Sequence, residues 1–251
     1  MGLITERDGA GDVYEAVTVP LAPVEAAGDG PAEGGGVMLR RRSALPTRRS
    51  VLYLHCQRDA FVPDDLVSWY TERGFHFYVV DLCPPGELDA PARHRPHQGQ
   101  ADRFARLDAA CRHLREAEGI DMILVSAHAA GALTAALWCD ARRDVGIPDA
   151  LILSSPAFGR RLRRGLNIAC PVLVVSSAGD DRDSSGSRRG SRVPSRRRGD
   201  AAAIRLGPHV TWLRLRDGQA SGADADRRRF FDEIGRWLGA YMYGQVRDQL
   251  L

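Results

Sequence analysis

The sequence predicts an α/β domain, a mostly parallel sheet with helices packed on both of its faces. Three observations carry this. Short apolar runs recur at Val51 to Cys56, His76 to Leu82, Asp121 to Val125, Asp149 to Pro156 and Pro171 to Ser177. Each has strand length and is largely apolar, as strands buried on both faces are. Segments of helical periodicity alternate with them, which is the pattern of βαβ units. Finally, 251 residues with 44% hydrophobic content supply one substantial core, and a single domain over 1–251 is the economical reading.

In chain order, Asp12 to Pro20 alternates enough to read as an edge strand, with Val37 to Arg41 pairing against it across the glycine-rich turn Gly28 to Gly36. Val51 to Cys56 is the first buried strand and Leu66 to Gly74 the first helix. His76 to Leu82 is the next strand, ended by Pro84, Pro85 and Gly86. Ala101 to Glu118 forms an amphipathic helix with Phe104, Leu107, Cys111 and Leu114 on one stripe. The strand Asp121 to Val125 then leads through Ser126-Ala127-His128-Ala129-Ala130-Gly131 into a helix over Ala132 to Cys139, rich in good helix formers. After strands at Asp149 to Pro156, Pro171 to Ser177 and His209 to Leu215, a last helix over Asp226 to Tyr241 turns Phe230, Ile234, Trp237, Leu238 and Tyr241 inward. Ligands of such sheets bind beyond the carboxyl ends of the strands, where His55, Asp81, Ala129, Gly179 and Asp217 are expected to gather.

The segment from Ser126 to Gly131 has the layout of a nucleophile elbow. In the pattern Gly-x-Ser-x-Gly a strand bends sharply into a helix and lifts the serine hydroxyl above the sheet, while small flanking residues let strand and helix approach. Ala127 and Gly131 occupy the small positions here. Ala129 therefore stands where the hydroxyl belongs, and a methyl group cannot attack a carbonyl.

Together with His55-Cys56, Arg95-Pro96-His97-Gln98, the Asp149 to Pro156 stretch and Leu206-Gly207-Pro208-His209-Val210-Thr211, this turn resembles the α/β-hydrolase superfamily. Within it the likeness is to the serine aminopeptidase or lysophospholipase-like branch common in actinobacteria, and it spans about Tyr14 to Tyr241. The resemblance implies the α/β-hydrolase fold and assigns three triad positions: the nucleophile at Ala129, the acid near Ser191, and the histidine at Ala220 in the loop Asp217 to Ser221. None of these residues supplies the family's chemistry. It further implies His55, Cys56, Gln57, His128 and Ala130 as pocket or oxyanion-equivalent positions. The family's cap would fall between Pro156 and Pro171, where Ala157 to Cys170 leaves only an ordinary connection, so an open crevice without its cap is expected.

The residues favour a non-catalytic hydrolase relative with a binding or regulatory role, using no metal and no cofactor. A relocated reaction through Cys56 or His128 is the second reading. A weak esterase or peptidase, with Asp181 or His209 reaching in, is the third. His128 is read as packing or bonding the turn in preference to acting as a base, and Cys56 as a small buried residue in preference to a nucleophile. Asp180, Asp181 and Asp183 lack the histidine or second carboxylate group that a cation site would need.

Composition bounds the partners. The net charge of +3 neither demands nor excludes an acidic partner, and all 35 basic residues are arginine, the coding bias of a GC-rich genome. The segment Gly179 to Asp200, with Arg188, Arg189, Arg192 and Arg196 to Arg198 among Ser and Gly, is expected to be a mobile loop. It carries no aromatic residue for base stacking, which argues against a nucleic-acid arm. Five widely spaced cysteines fit neither a disulfide framework nor a zinc pair and point to a reducing cytoplasm. The first residues lack an apolar signal core, and no later run reaches membrane-spanning length. Oligomeric state is open, although the edge beside Asp12 to Pro20 offers a dimer surface.

Overall fold

The computed structural model describes residues 5–7, 13–20, 36–55, 62–82, 100–156, 165–177, 206–215 and 223–248. Among these, strands β1 (Thr5–Arg7), β2 (Val13–Val19), β3 (Gly36–Arg41), β4 (Arg49–His55), β5 (His76–Asp81), β6 (Met122–His128), β7 (Ala150–Ser154), β8 (Val172–Ser177) and β9 (Val210–Leu215) form one sheet. The helices are α1 (Asp64–Thr71), α2 (Gln100–Glu116), α3 (Ala129–Ala141) and α4 (Ala223–Asp248). The strand order is β1-β2-β3-β5-β4-β6-β7-β8-β9. From β5 through β9 every neighbouring pair is parallel, whereas β1, β2 and β3 are joined antiparallel to one another and to β5. The chain moves from β4 to β5 in one direction and then returns past β4 to β6, so the winding reverses between β4 and β6. That switch point is where such sheets hold ligands.

Two apolar layers explain the uninterrupted strand runs. Leu52, Leu54, Ile123 and Val125 pack with Phe104, Leu107 and Leu114 of α2 and Ala135 and Trp138 of α3. Their sequence neighbours Val51 and Leu124, with Ile152 of β7, face the other way, onto Val67 and Tyr70 of α1 and Ile234 and Leu238 of α4. Alternate residues of one strand thus serve opposite cores, and both must be apolar. Asp149 ties three elements together: its Oδ2 accepts from the Arg115 guanidinium of α2 at 2.7 Å and from the Ile123 amide of β6 at 2.7 Å, while its carbonyl accepts from the Tyr241 hydroxyl of α4 at 2.8 Å.

Several boundaries differ from the sequence expectation, among them α1, which spans Asp64–Thr71 and so starts and ends before the expected Leu66 to Gly74. β2 is not an edge strand, because Thr5–Arg7 pairs along its outer side; those three polar residues have no hydrophobic alternation that would announce a strand. Along Val13–Glu15 the edge expected beside Asp12 to Pro20 is therefore occupied by β1. β6 continues three residues beyond Val125, since Ser126 and Ala127 keep their ladder partners and their burial although an apolar run stops at Ser126. Accordingly α3 starts at Ala129 and not Ala132. α4 exceeds the expected span at both ends. The expected loop at 179–200 and the connection at 157–164 lie outside the described residues.

His76, first residue of β5, accepts a hydrogen bond from the Ser43 amide on Nδ1 at 3.1 Å. Burial, and then the nearby Arg42 charge, hold its pKa below the ordinary histidine value. The unfolded chain thus binds a proton there more readily than the folded one, so this contribution to stability is intact above about pH 6.5 and is lost as pH falls through the lowered value. Thermal melts between pH 7.5 and 5 should show a smaller acid-side decline in His76→Gln than in the wild type.

Candidate functional site

The candidate site is built on the carboxyl edge at the switch point. Register places Asp81 of β5 opposite His55 of β4, Leu54 opposite Ala127 of β6, and His128 opposite Ser154 of β7. Asp81, His55, His128 and Ser154 therefore form one level row across four parallel strands, and the next residue of β6 is Ala129. At that residue the backbone enters the left-handed region, with φ +48°, and α3 begins at once. This is the sharp strand-to-helix turn of an elbow, made by a residue with a Cβ where the conformation costs about 1–2 kcal/mol.

The turn is fixed by close packing on one side. A Cβ on Gly131 would lie 3.2 Å from the Leu54 carbonyl oxygen and 4.0 Å from the Ala127 Cβ, so the first turn of α3 presses directly on β4 and β6. Ala127 is 1% exposed, which confirms why both flanks are small. His128 is the N-cap residue of α3, exposed and extended, and its ring makes no capping bond. Its expected role in bonding the turn is thus not that of a cap. The first turn of α3 contains no acidic side chain, leaving the positive end of the helix dipole uncompensated by its own sequence.

Beneath the turn, on the α1 side, Ser126 is buried beside the wholly buried Tyr70, and Tyr53 lies level with Ser126 on β4. Burial pushes both phenols above the ordinary tyrosine value, so they stay neutral at physiological pH and cannot serve as bases there. Asp81 sits two strands from His128, roughly 10 Å away between Cα atoms, beyond the reach of a carboxylate acting on a group at Ala129.

The structure thus brings the backbone of His55 together with Asp81, His128, Ala129 and Ala130. Cys56, Gln57, Gly179, Asp181, Ser191, Asp217 and Ala220 lie outside the described residues. His209 is corrected. It precedes β9 at the amino edge, where Val210 is level with Val172 and Val172 with Leu151, placing His209 roughly 16 Å down the strand direction from Ala129. It is exposed, and its carbonyl accepts from the Val172 amide at 2.8 Å. It cannot be the base of this crevice.

Ser155 is the residue that sequence reasoning missed. It follows Ser154 directly, beside Ala129, and is the other described non-glycine residue with positive φ, at +46°. Its amide donates to the Val175 carbonyl at 2.8 Å, which locks the turn onto β8. Nothing in Ser155-Pro156 announces this, since a residue before proline ordinarily prefers extended backbone. Two adjacent left-handed residues on neighbouring strands mark the edge as strained, the kind of strain that persists at functional sites because the surrounding packing over-determines it. Replacing Ala129 by glycine relieves one of them. Ala129→Gly should stabilise the fold by about 0.5–1 kcal/mol in urea denaturation, the strain relieved exceeding the added unfolded-state entropy. Unchanged or lowered stability would contradict the strain.

A parallel sheet wound about a switch point, with a strained strand-to-helix elbow at the carboxyl edge, defines the α/β-hydrolase fold, and this chain has it. No family model and no curated protein matches its sequence. Solved structures do match its fold. The dienelactone hydrolase from Anabaena variabilis is similar at a TM-score of 0.59 and 12% identity, over 92% of this chain and 97% of that one. The esterase domain of a Rhodothermus marinus protein matches at 0.56 and 12% identity, over 91% and 98%. The monoacylglycerol lipase of Paleococcus ferrophilus matches at 0.55 and 14%, over 81% and 98%. Among the described residues no cluster of three or more His, Cys, Asp or Glu side chains is placed to hold a metal ion, and no helix is long and apolar enough to cross a membrane.

Proposed function

We propose that this chain is a non-catalytic relative of the serine aminopeptidase or lysophospholipase-like hydrolases, and that its crevice serves a binding or regulatory role. One observation carries the reading: the apex of the elbow keeps its left-handed turn, φ +48°, yet bears only a methyl group. In a serine hydrolase the same position combines the strain with a hydroxyl, and losing the nucleophile alone removes about a million-fold of kcat in a well-studied case. Ala220 and Ser191, at the other two triad-equivalent positions, support the same reading. So does the short stretch Ala157 to Cys170 where a cap would stand, because without a lid water is poorly excluded from acyl-transfer chemistry. The first turn of a helix has amides without intrahelical partners, and those at the start of α3 are what a retained binding crevice would offer to a carbonyl or anion.

The test is covalent labelling of the wild-type protein. A fluorophosphonate marks an activated serine, and iodoacetamide at low pH marks an activated cysteine. Neither should modify a residue at the carboxyl edge, and simple acyl esters should not be turned over above background. Rapid turnover with an adduct on any side chain bordering Ala129 would end this reading. Ser155 favours one second reading, a relocated nucleophile, because its hydroxyl-bearing residue is strained and adjacent to the vacant apex. A fluorophosphonate adduct on Ser155, absent in Ser155→Ala, would select it.

A further inference from the structure

At the opposite, amino edge of the sheet, a cavity of about 250 Å³ lies between the end of α3 and the segments leading into β7 and β8. Cys139, from the last turn of α3, and Cys170, two residues before β8, both line it. The two thiols are neighbours there, close enough for Cys170 to influence the Cys139 proton. The two are not equivalent. Cys139 belongs to the core at 2% exposure, whereas Cys170 is partly exposed. Cys111 is buried in the same layer but is not among the cavity's lining residues. Of the two thiols, Cys170 is the more accessible to a small reactant.

We propose that Cys139 and Cys170 form a redox-active thiol pair, a modification site that a small hydroperoxide converts to a disulfide. Burial, and then the neighbouring Cys170, push the Cys139 thiol well up, so Cys139 keeps its proton until the second step. In the first step the Cys170 sulfur, as thiolate, attacks the terminal oxygen of the hydroperoxide. The O–O bond breaks, the departing alkoxide takes up the proton Cys170 released, and Cys170 becomes a sulfenic acid. In the second step the Cys139 sulfur attacks the sulfenic sulfur, the S–O bond breaks, and the displaced hydroxide leaves as water with the Cys139 proton. Two thiols and one hydroperoxide thus give one disulfide, one alcohol and one water, with two electrons passing to the peroxide. The bond ties the end of α3 to the lead into β8.

The experiment is peptide mapping of the folded full-length wild type after brief treatment with tert-butyl hydroperoxide and blocking of remaining thiols. Cleavage after arginine places Cys111, Cys139 and Cys170 on separate peptides, Leu107 to Arg112, Glu116 to Arg142 and Gly165 to Arg182. The expected result is a linkage between the second and third that dithiothreitol reverses, with Cys111 unmodified and the melting temperature raised by on the order of 5 °C in the oxidised form. In Cys139→Ser, a cyclic 1,3-diketone probe should trap sulfenic acid on Cys170 at several-fold higher yield than in the wild type. If the treated wild type shows Cys139 and Cys170 on unlinked peptides, or linked only when the protein is treated in denaturant, the proposal is overturned.

Discussion

Ala129→Ser should leave ester hydrolysis at the wild-type background, roughly a million-fold below what an intact triad delivers. The substitution restores the hydroxyl at the correct apex, because φ +48° at position 129 already gives the turn its shape. It does not restore the proton acceptor. A serine hydroxyl is a weak nucleophile until a base removes its proton, and the positions that the hydrolase resemblance assigns to base and acid hold Ala220 and Ser191. His128, the neighbouring imidazole, is the preceding residue of an extended strand, and His209 stands at the other edge of the sheet. Wild type and variant alike are limited to at most the roughly 10³–10⁴ over water that oxyanion contacts and binding supply in a triad-less enzyme. Turnover of a p-nitrophenyl ester is the measurement, and strong esterase activity in this single variant would show that a base does reach the apex.

Trp138→Ala should lower the free energy of unfolding by about 3–5 kcal/mol, a large share of what a domain of this kind has in reserve. Trp138 lies on α3 at 1% exposure, in the core layer between α2, α3 and the sheet. Its indole N–H donates to Asp108 Oδ1 of α2 at 2.8 Å. Asp108 is also held by the Arg142 guanidinium, with its closest contact at 2.7 Å, so the carboxylate keeps one partner when the indole is gone. The cost is therefore mainly the cavity. Trp138→Phe separates the two contributions, since it fills most of the volume and loses only the hydrogen bond, and it should cost about 1–2 kcal/mol. Urea titrations of both variants provide the check. Equal losses in the two would mean that the Asp108 contact, and not packing, holds α3 in place. Because α3 begins at the elbow, loosening it would be felt at the crevice as well.

The class of fold was legible because its physical cause is written locally. Strands such as Val51 to Leu54 and Ile123 to Val125 feed two opposite cores through alternate residues, so nothing polar is tolerated along them, and the run is visible without any knowledge of partners. The elbow was legible for a related reason, since Ala127 and Gly131 had to be small wherever helix and strand touch. Thr5–Arg7 was not, because its pairing rests on backbone hydrogen bonds that any side chain permits. The reach of β6 through His128 was hidden in the same way behind polar Ser126.

By itself the sequence determined that Ala129 stands between the small residues Ala127 and Gly131 after a buried strand, and that apolar strands alternate with helices to give a mostly parallel sheet covered on both faces. Each of these is a property of residue type or of period along one strand. Only the tertiary structure decided that Ala129 and Ser155 share a strained edge, that His209 belongs to the opposite one, and that Cys139 and Cys170 line one cavity. Those are relations between segments far apart in the chain, fixed by strand order and register, and side-chain pattern within a single segment does not encode them.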